Sequence, residues 1–156
     1  MRKLSILAIA LVAFASCKQN ANTTSTTCSQ SPLNGSWRLL TSKSITGKDT
    51  TDTSPGKNLE TIKLYNDTHF SFFTHDLKKG KIDTPVFSAG SGTYTLSGKD
   101  YAEHLEYCNA RDWEDHDFKF TVELKNDTLI QSGVEKDEKL HVDHIIIETY
   151  VRMAHK

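Results

Sequence analysis

The sequence predicts an all-β protein, folded as a single antiparallel up-and-down barrel of about eight to ten strands. Three observations carry this expectation. Apolar residues recur in short alternating runs rather than at helical spacing. Turn chemistry separates those runs at Asn66-Asp67, Ser97-Gly98-Lys99-Asp100 and Asn126-Asp127. A chain of 156 residues leaves room for one domain, and sequential hairpins with alternating faces close most simply on themselves.

The barrel is expected over residues 32–156, opening with turn residues Pro32-Leu33-Asn34-Gly35. The first strand runs from Trp37 to Ser42, and residues 43–58 read as a long polar loop with Ile45 as its single apolar residue. Strands at residues 59–65 and 69–74 form a hairpin rich in β-formers, among them Ile62, Leu64, Tyr65, Phe70, Phe72 and Phe73. Val86 and Phe87 make a short strand before Gly90-Ser91-Gly92, which reads as a break. Thr93 to Leu96 and Tyr101 to Cys108 alternate as strands, as do Phe118 to Lys125 and Thr128 to Val134. Residues 135–139 are charged and read as exposed, and one long strand, Leu140 to Met153, closes the chain.

Alternation sets Tyr101, Glu103, Leu105 and Tyr107 on one face, which its aromatic content directs inward. On the last strand Ile145, Ile147, Thr149, Val151 and Met153 share one face, and Ile146, Glu148, Tyr150 and Arg152 the other. An inward second set would give a polar interior in which Glu103, Glu148 and Arg152 meet, either as a structural network or as a ligand anchor; the remaining reading is that they are simply exposed charges. Tyr94, Tyr101, Glu103, Tyr107, Phe120, Glu148 and Tyr150 are the candidate cavity residues.

The N-terminus reads as a leader. Met1-Arg2-Lys3 is basic, residues 4–14 are nearly all apolar, and Phe14-Ala15-Ser16-Cys17 follows. Small residues before a Cys at this place resemble the bacterial lipobox. That resemblance implies a signal peptide over residues 1–16, lipidation of Cys17 and a membrane anchor of palmitate-like acyl chains. Residues 17–31, rich in Thr, Ser and Asn, form a polar tether. With no acidic run after Cys17, the expected place is the envelope on the periplasmic side of the outer membrane. In such an oxidising compartment Cys28 and Cys108 have two readings: one disulfide, or two separate thiols.

Charge excludes a nucleic-acid partner as the expectation: Lys plus Arg is 19, Asp plus Glu is 20, and the net charge is -1. There is no P-loop or dinucleotide fingerprint, so no cofactor is expected. His141 and His144 point to opposite faces of a strand and make a poor metal pair, and the acidic stretch around Trp113 lacks the spacing of a calcium loop.

Gly35-Ser36-Trp37 resembles the G-x-W signature of lipocalins, and Arg152 stands on the last strand where that superfamily carries an Arg across the Trp. The chain is also similar to small bacterial lipocalin-like lipoproteins in Gly92-Thr93-Tyr94-Thr95, in Tyr101-Ala102-Glu103 and in the ending Glu148-Thr149-Tyr150-Val151-Arg152. Tyr150 replaces a common Trp, and the T-D-Y signature of better-known lipocalins is absent. The resemblance implies a lipocalin-like barrel with an internal cavity, and a closure in which Arg152 packs across Trp37. The function expected first is a lipid-anchored protein holding a small hydrophobic or amphipathic ligand. The second is an interaction lipoprotein with a filled barrel and an unknown protein partner. An enzyme acting through Glu103, Glu148 or Arg152 comes third.

Overall fold

The computed structural model describes residues 30–81 and 83–154. The expectations for the signal peptide, for Cys17 and for Cys28 lie outside the described residues. Among the described residues nine strands follow one another: β1 (Gly35–Thr46), β2 (Asp49–Asp52), β3 (Leu59–Tyr65), β4 (His69–Asp76), β5 (Phe87–Ser97), β6 (Asp100–Cys108), β7 (His116–Lys125), β8 (Thr128–Asp137) and β9 (Val142–Arg152). All pairings are antiparallel. The sheet order is β2-β1-β3-β4-β5-β6-β7-β8-β9, with β1 also paired to β9. Eight strands therefore close a barrel, and β2 is an extra strand outside it. Short loops force neighbours in sequence to become neighbours in space, so the fold is the all-β up-and-down barrel expected from the sequence.

Three expectations are corrected. Residues 43–58 are not one loop. β1 runs on to Thr46 and turns at Gly47 (φ 61°), and β2 then returns along it. Ile45, Thr46, Thr50 and Thr51 are β-branched, and this half of β1 also gains β9 as a partner, so polarity alone misled. Gly90-Ser91-Gly92 is not a break but the middle of β5. A Cβ on Gly90 would lie 2.5 Å from the Phe72 ring, and one on Gly92 would lie 1.8 Å from the His104 carbonyl oxygen. These glycines let a ring and a strand come close, as interior strand glycines often do. Residues 135–137 belong to β8, and Glu135 and Asp137 are half-buried rather than exposed.

A fourth correction concerns Tyr107. The β5–β6 register passes from Gly92↔Leu105 to Ser91↔Tyr107, so Glu106 is an extra residue on β6. This bulge reverses the faces beyond it. Cys108 turns inward and is buried, while Tyr107 is 65% exposed. Tyr107 is therefore not a cavity residue.

The interior is filled at one end. Trp37, Tyr101, Phe70, Leu33 and Leu129 are wholly buried there. An aromatic column continues through it, with ring centroids 5.3 Å apart for Tyr65 and Tyr94, 5.5 Å for Tyr94 and Tyr101, 6.3 Å for Tyr101 and Phe120, and 6.2 Å for Phe120 and Phe118. Edge-on and offset rings of this kind contribute about 0.5–1.5 kcal/mol per pair beyond area burial.

Trp37 and Arg152 are register partners on β1 and β9. The Arg152 guanidinium lies 4.1 Å from the Trp37 ring centroid. It donates to the carbonyl oxygens of Asn34 at 2.6 Å and Pro32 at 3.0 Å. The Trp37 indole N–H donates to the Leu33 carbonyl oxygen at 2.7 Å. First strand, last strand and the entering chain are thus tied at one point.

Candidate functional site

Above the packed end the barrel holds a cavity of about 360 Å³ that opens to solvent. Its walls come from β1, β3, β4, β6, β8 and β9, with residues 53–55 lying across the rim after β2. Leu39, Leu59, Phe72 and Ile146 supply apolar wall, while Lys63, Glu103, Gln131, Glu135, Glu148 and Tyr150 supply the polar part. The rim segment is held by a backbone bond from Thr53 to the Ser42 carbonyl oxygen at 2.9 Å and by the Ser42 and Thr53 hydroxyls at 2.8 Å.

Lys63 is the centre of the polar floor. Alternation along β3 directs Lys63 and Tyr65 inward with Leu59 and Thr61, and Ile62 and Leu64 outward. The Lys63 ammonium donates to Glu103 Oε2 at 2.9 Å and to Gln131 Oε1 at 3.2 Å. It also lies over the rings of Phe70, Tyr101 and Tyr65, at 4.9, 5.5 and 5.6 Å from their centroids. Burial works against its charge, but the Glu103 carboxylate, with Tyr65 and Glu148 behind it, outweighs burial and holds Lys63 above its ordinary pKa. The Tyr101 hydroxyl donates to the same Glu103 oxygen at 2.7 Å. Burial also pushes the Tyr65 hydroxyl up to about 12, and its oxygen has no hydrogen-bond partner among the described residues.

Glu148 lies between the register partners Ser42 on β1 and Gln131 on β8, both buried. It accepts from the Tyr150 hydroxyl at 2.7 Å. Burial raises its carboxyl above the ordinary value, although Lys63 and the Tyr150 bond pull the other way. Nearer the mouth, Glu135 faces its register partner His144 at 2.9 Å, and burial raises this carboxyl too. A second imidazole–carboxylate pair, His116 and Asp137 at 2.8 Å, stands on the neighbouring strands.

Of the candidate cavity residues, Glu103, Glu148 and Tyr150 line the cavity. Tyr94, Tyr101 and Phe120 belong to the packed end, where the Tyr94 hydroxyl donates to the Asn66 carbonyl oxygen at 2.7 Å and lies 2.6 Å from the Ser31 hydroxyl. Arg152 does not join Glu103 and Glu148. It shares their inward face, but at the Trp37 end, beyond Tyr150, and its ion-pair partner among the described residues is Asp127 at 3.6 Å. The cation in the interior is Lys63, which sequence reasoning missed along with Gln131 and Glu135. The signal was present in Lys63 and Tyr65 at a spacing of two, opposite Phe72 and Phe70 across a tight hairpin. Two apolar residues on the other face of β3 masked it. Among the described residues no group of three or more His, Cys, Asp or Glu side chains is arranged to hold a metal ion.

The architecture is similar to that of a lipocalin-like protein from Bacteroides uniformis, with a TM-score of 0.50 and 14% identity over 78% of this chain and 98% of that one. The fold is lipocalin-like. An uncharacterized protein from Bacteroides eggerthii is also similar in shape, with a TM-score of 0.47 and 11% identity over 78% of this chain and 99% of that one. No family model matches the sequence, and no curated protein matches it. At these identities the lipocalin-like resemblance is one of fold, and the chemistry has to be read from the side chains.

Proposed function

We propose that the protein binds a small amphipathic molecule in the barrel cavity and performs no chemistry on it. One observation carries this reading: an open void of about 360 Å³ above a fully packed floor. Ligand sites commonly begin near 300 Å³, with apolar walls and a few polar groups that orient the ligand. Here Leu39, Phe72 and Ile146 would receive the apolar part, and Glu135, Glu148 and Tyr150 the polar part.

The proposal includes an envelope location, with Cys17 as the lipid anchor. The chain enters the barrel at the packed end: Ser31 donates its N–H to Asp67 Oδ1 at 2.9 Å, and Leu33 is buried. An anchor leading to that end leaves the mouth free to meet ligand in the envelope. Native mass spectrometry of the protein extracted from its own membrane tests the reading. A recurrent bound mass that disappears after unfolding and refolding is expected. Repeated preparations without such a mass, together with a filled interior, would overturn it.

One observation favours a protein partner as a second reading. The outer faces of β1, β8 and β9 expose Leu40, Ile130, Val134 and Ile145, and β9 continues this face through Ile147 and Val151. Such strips mark interaction sites on otherwise soluble proteins. Cross-linking in the intact envelope from a position beside Ile145 should then give one recurrent adduct. A chain that stays uncoupled would dismiss this reading.

A further inference from the structure

The cavity wall carries three carboxylates, Glu103, Glu135 and Glu148, and one permanent cation, Lys63. That cation is already spent. Its ammonium is held by Glu103 at 2.9 Å and Gln131 at 3.2 Å and is boxed by the faces of Phe70, Tyr101 and Tyr65. Glu148 has no such partner. Its Oε2 accepts the Tyr150 hydroxyl, and no side-chain cation among the described residues comes within ion-pair distance of it. Glu148 is half-buried, and it lines the cavity wall. Glu135 faces the same space, and its partner His144 is charged only when protonated.

We propose, resting on the binding reading above, that the cavity is a site for a small organic cation: an amine whose ammonium is received between Glu148 and Glu135, with its hydrocarbon part against Leu39, Phe72 and Ile146. An ammonium offers only donors, and Glu148 has acceptor capacity that no protein donor uses. A buried carboxylate is costly unless paired, so a cation that completes the pair gains more here than in water. An anionic ligand meets the opposite situation. It would lie beside Glu148 and Glu103 while the single cation is already capped. The raised carboxyl of Glu148 fits the same picture, because an arriving ammonium displaces a proton to solvent and makes affinity rise with pH.

Isothermal titration calorimetry on the full-length chain, refolded to remove any bound molecule, tests this with three probes of equal length: hexylamine, 1-hexanol and hexanoate. Hexylamine is expected to bind and hexanoate to show no heat. Glu148→Gln should weaken hexylamine by about tenfold or more, as expected for loss of a charge-assisted contact. Glu135→Gln, at the mouth, should weaken it as well and serves if Glu148→Gln fails to fold. Binding of hexanol or hexanoate as tightly as hexylamine, or an unchanged affinity in both variants, overturns the amine proposal and leaves the cavity as a binding site. Absence of binding by all three probes overturns both readings.

Discussion

Lys63 on β3 and Glu103 on β6 meet at 2.9 Å inside the barrel, and the Tyr101 hydroxyl closes on the same carboxylate oxygen at 2.7 Å. The pair forms the floor of the cavity and the roof of the packed end. It explains how one barrel can be solid at one end and open at the other: the charges line the void, and their aliphatic and aromatic neighbours face the core.

Breaking this pair should cost more than removing it. Lys63→Met leaves the Glu103 carboxylate without its cation, and Glu103→Gln leaves Lys63 with the weaker Gln131 contact. Each single change is expected to cost about 3–5 kcal/mol in urea unfolding, the usual loss when one member of a buried pair is deleted. The double change should recover a large part of that loss. Additive single effects would show that the two side chains are not coupled.

Closure at Arg152 makes a separate expectation. Arg152→Ala removes the cation from the Trp37 face and strips donors from the Pro32 and Asn34 carbonyl oxygens. The expected loss is about 2–3 kcal/mol, from a cation–π contact plus two hydrogen bonds to carbonyls. Arg152→Lys should restore less than half of it, because an ammonium lacks the planar fork that stacks on the indole and reaches both carbonyls. Equal stability of the Lys variant and the native chain in the same unfolding assay would contradict this account.

The half-buried carboxyl of Glu148 sets a pH dependence with a definite sign. Burial raises its folded pKa above the ordinary value of 4.5, so the unfolded chain loses this proton first as pH rises. The stability held by the proton is present below 4.5 and is lost as pH climbs through the folded value. Glu148→Gln cannot ionise, and its amide oxygen still accepts from Tyr150. Melting curves of ligand-free protein should therefore show the variant gaining on the native chain as pH rises above 4.5. A gap that is flat or narrows over that range would refute the assignment.

Gly90 tests the wall of the cavity. A methyl group there would sit 2.5 Å from the Phe72 ring. Gly90→Ala should lower stability by about 1–3 kcal/mol, the range for overpacking, and shift Phe72 toward the void. Aromatic side-chain NMR signals of Phe72 report the shift directly. Unchanged signals and unchanged stability would mean that the ring is not packed against β5.

Much of the fold was written in the local pattern. Asn66-Asp67 and Asn126-Asp127 mark turns whose flanking strands pair in the registers Tyr65↔Phe70 and Lys125↔Thr128. Gly35-Ser36-Trp37 and Arg152 carried the lipocalin-like resemblance because their packing needs those residue types. The site was less legible. Glu148 and Tyr150 stood out on β9, where the polar set turned out to be the inward one, against the rule that apolar residues point in. Ile145, Ile147 and Val151 occupy the outer face instead. Tyr107 was misplaced because a bulge at Glu106 changes the face of everything after it, and no local composition announces a bulge. Lys63 was missed because a buried lysine is rare without a partner, and its partner stands 40 residues away.

The central claim is that the upper half of the barrel is hollow, and thermal melting of Ile146→Trp tests it most directly. Ile146 lines the cavity and points into it. An indole entering a void should fold in place, with a Tm within about 4 °C of the native chain. A fall of more than about 8 °C, the mark of a large side chain forced into an interior already filled, would contradict the account.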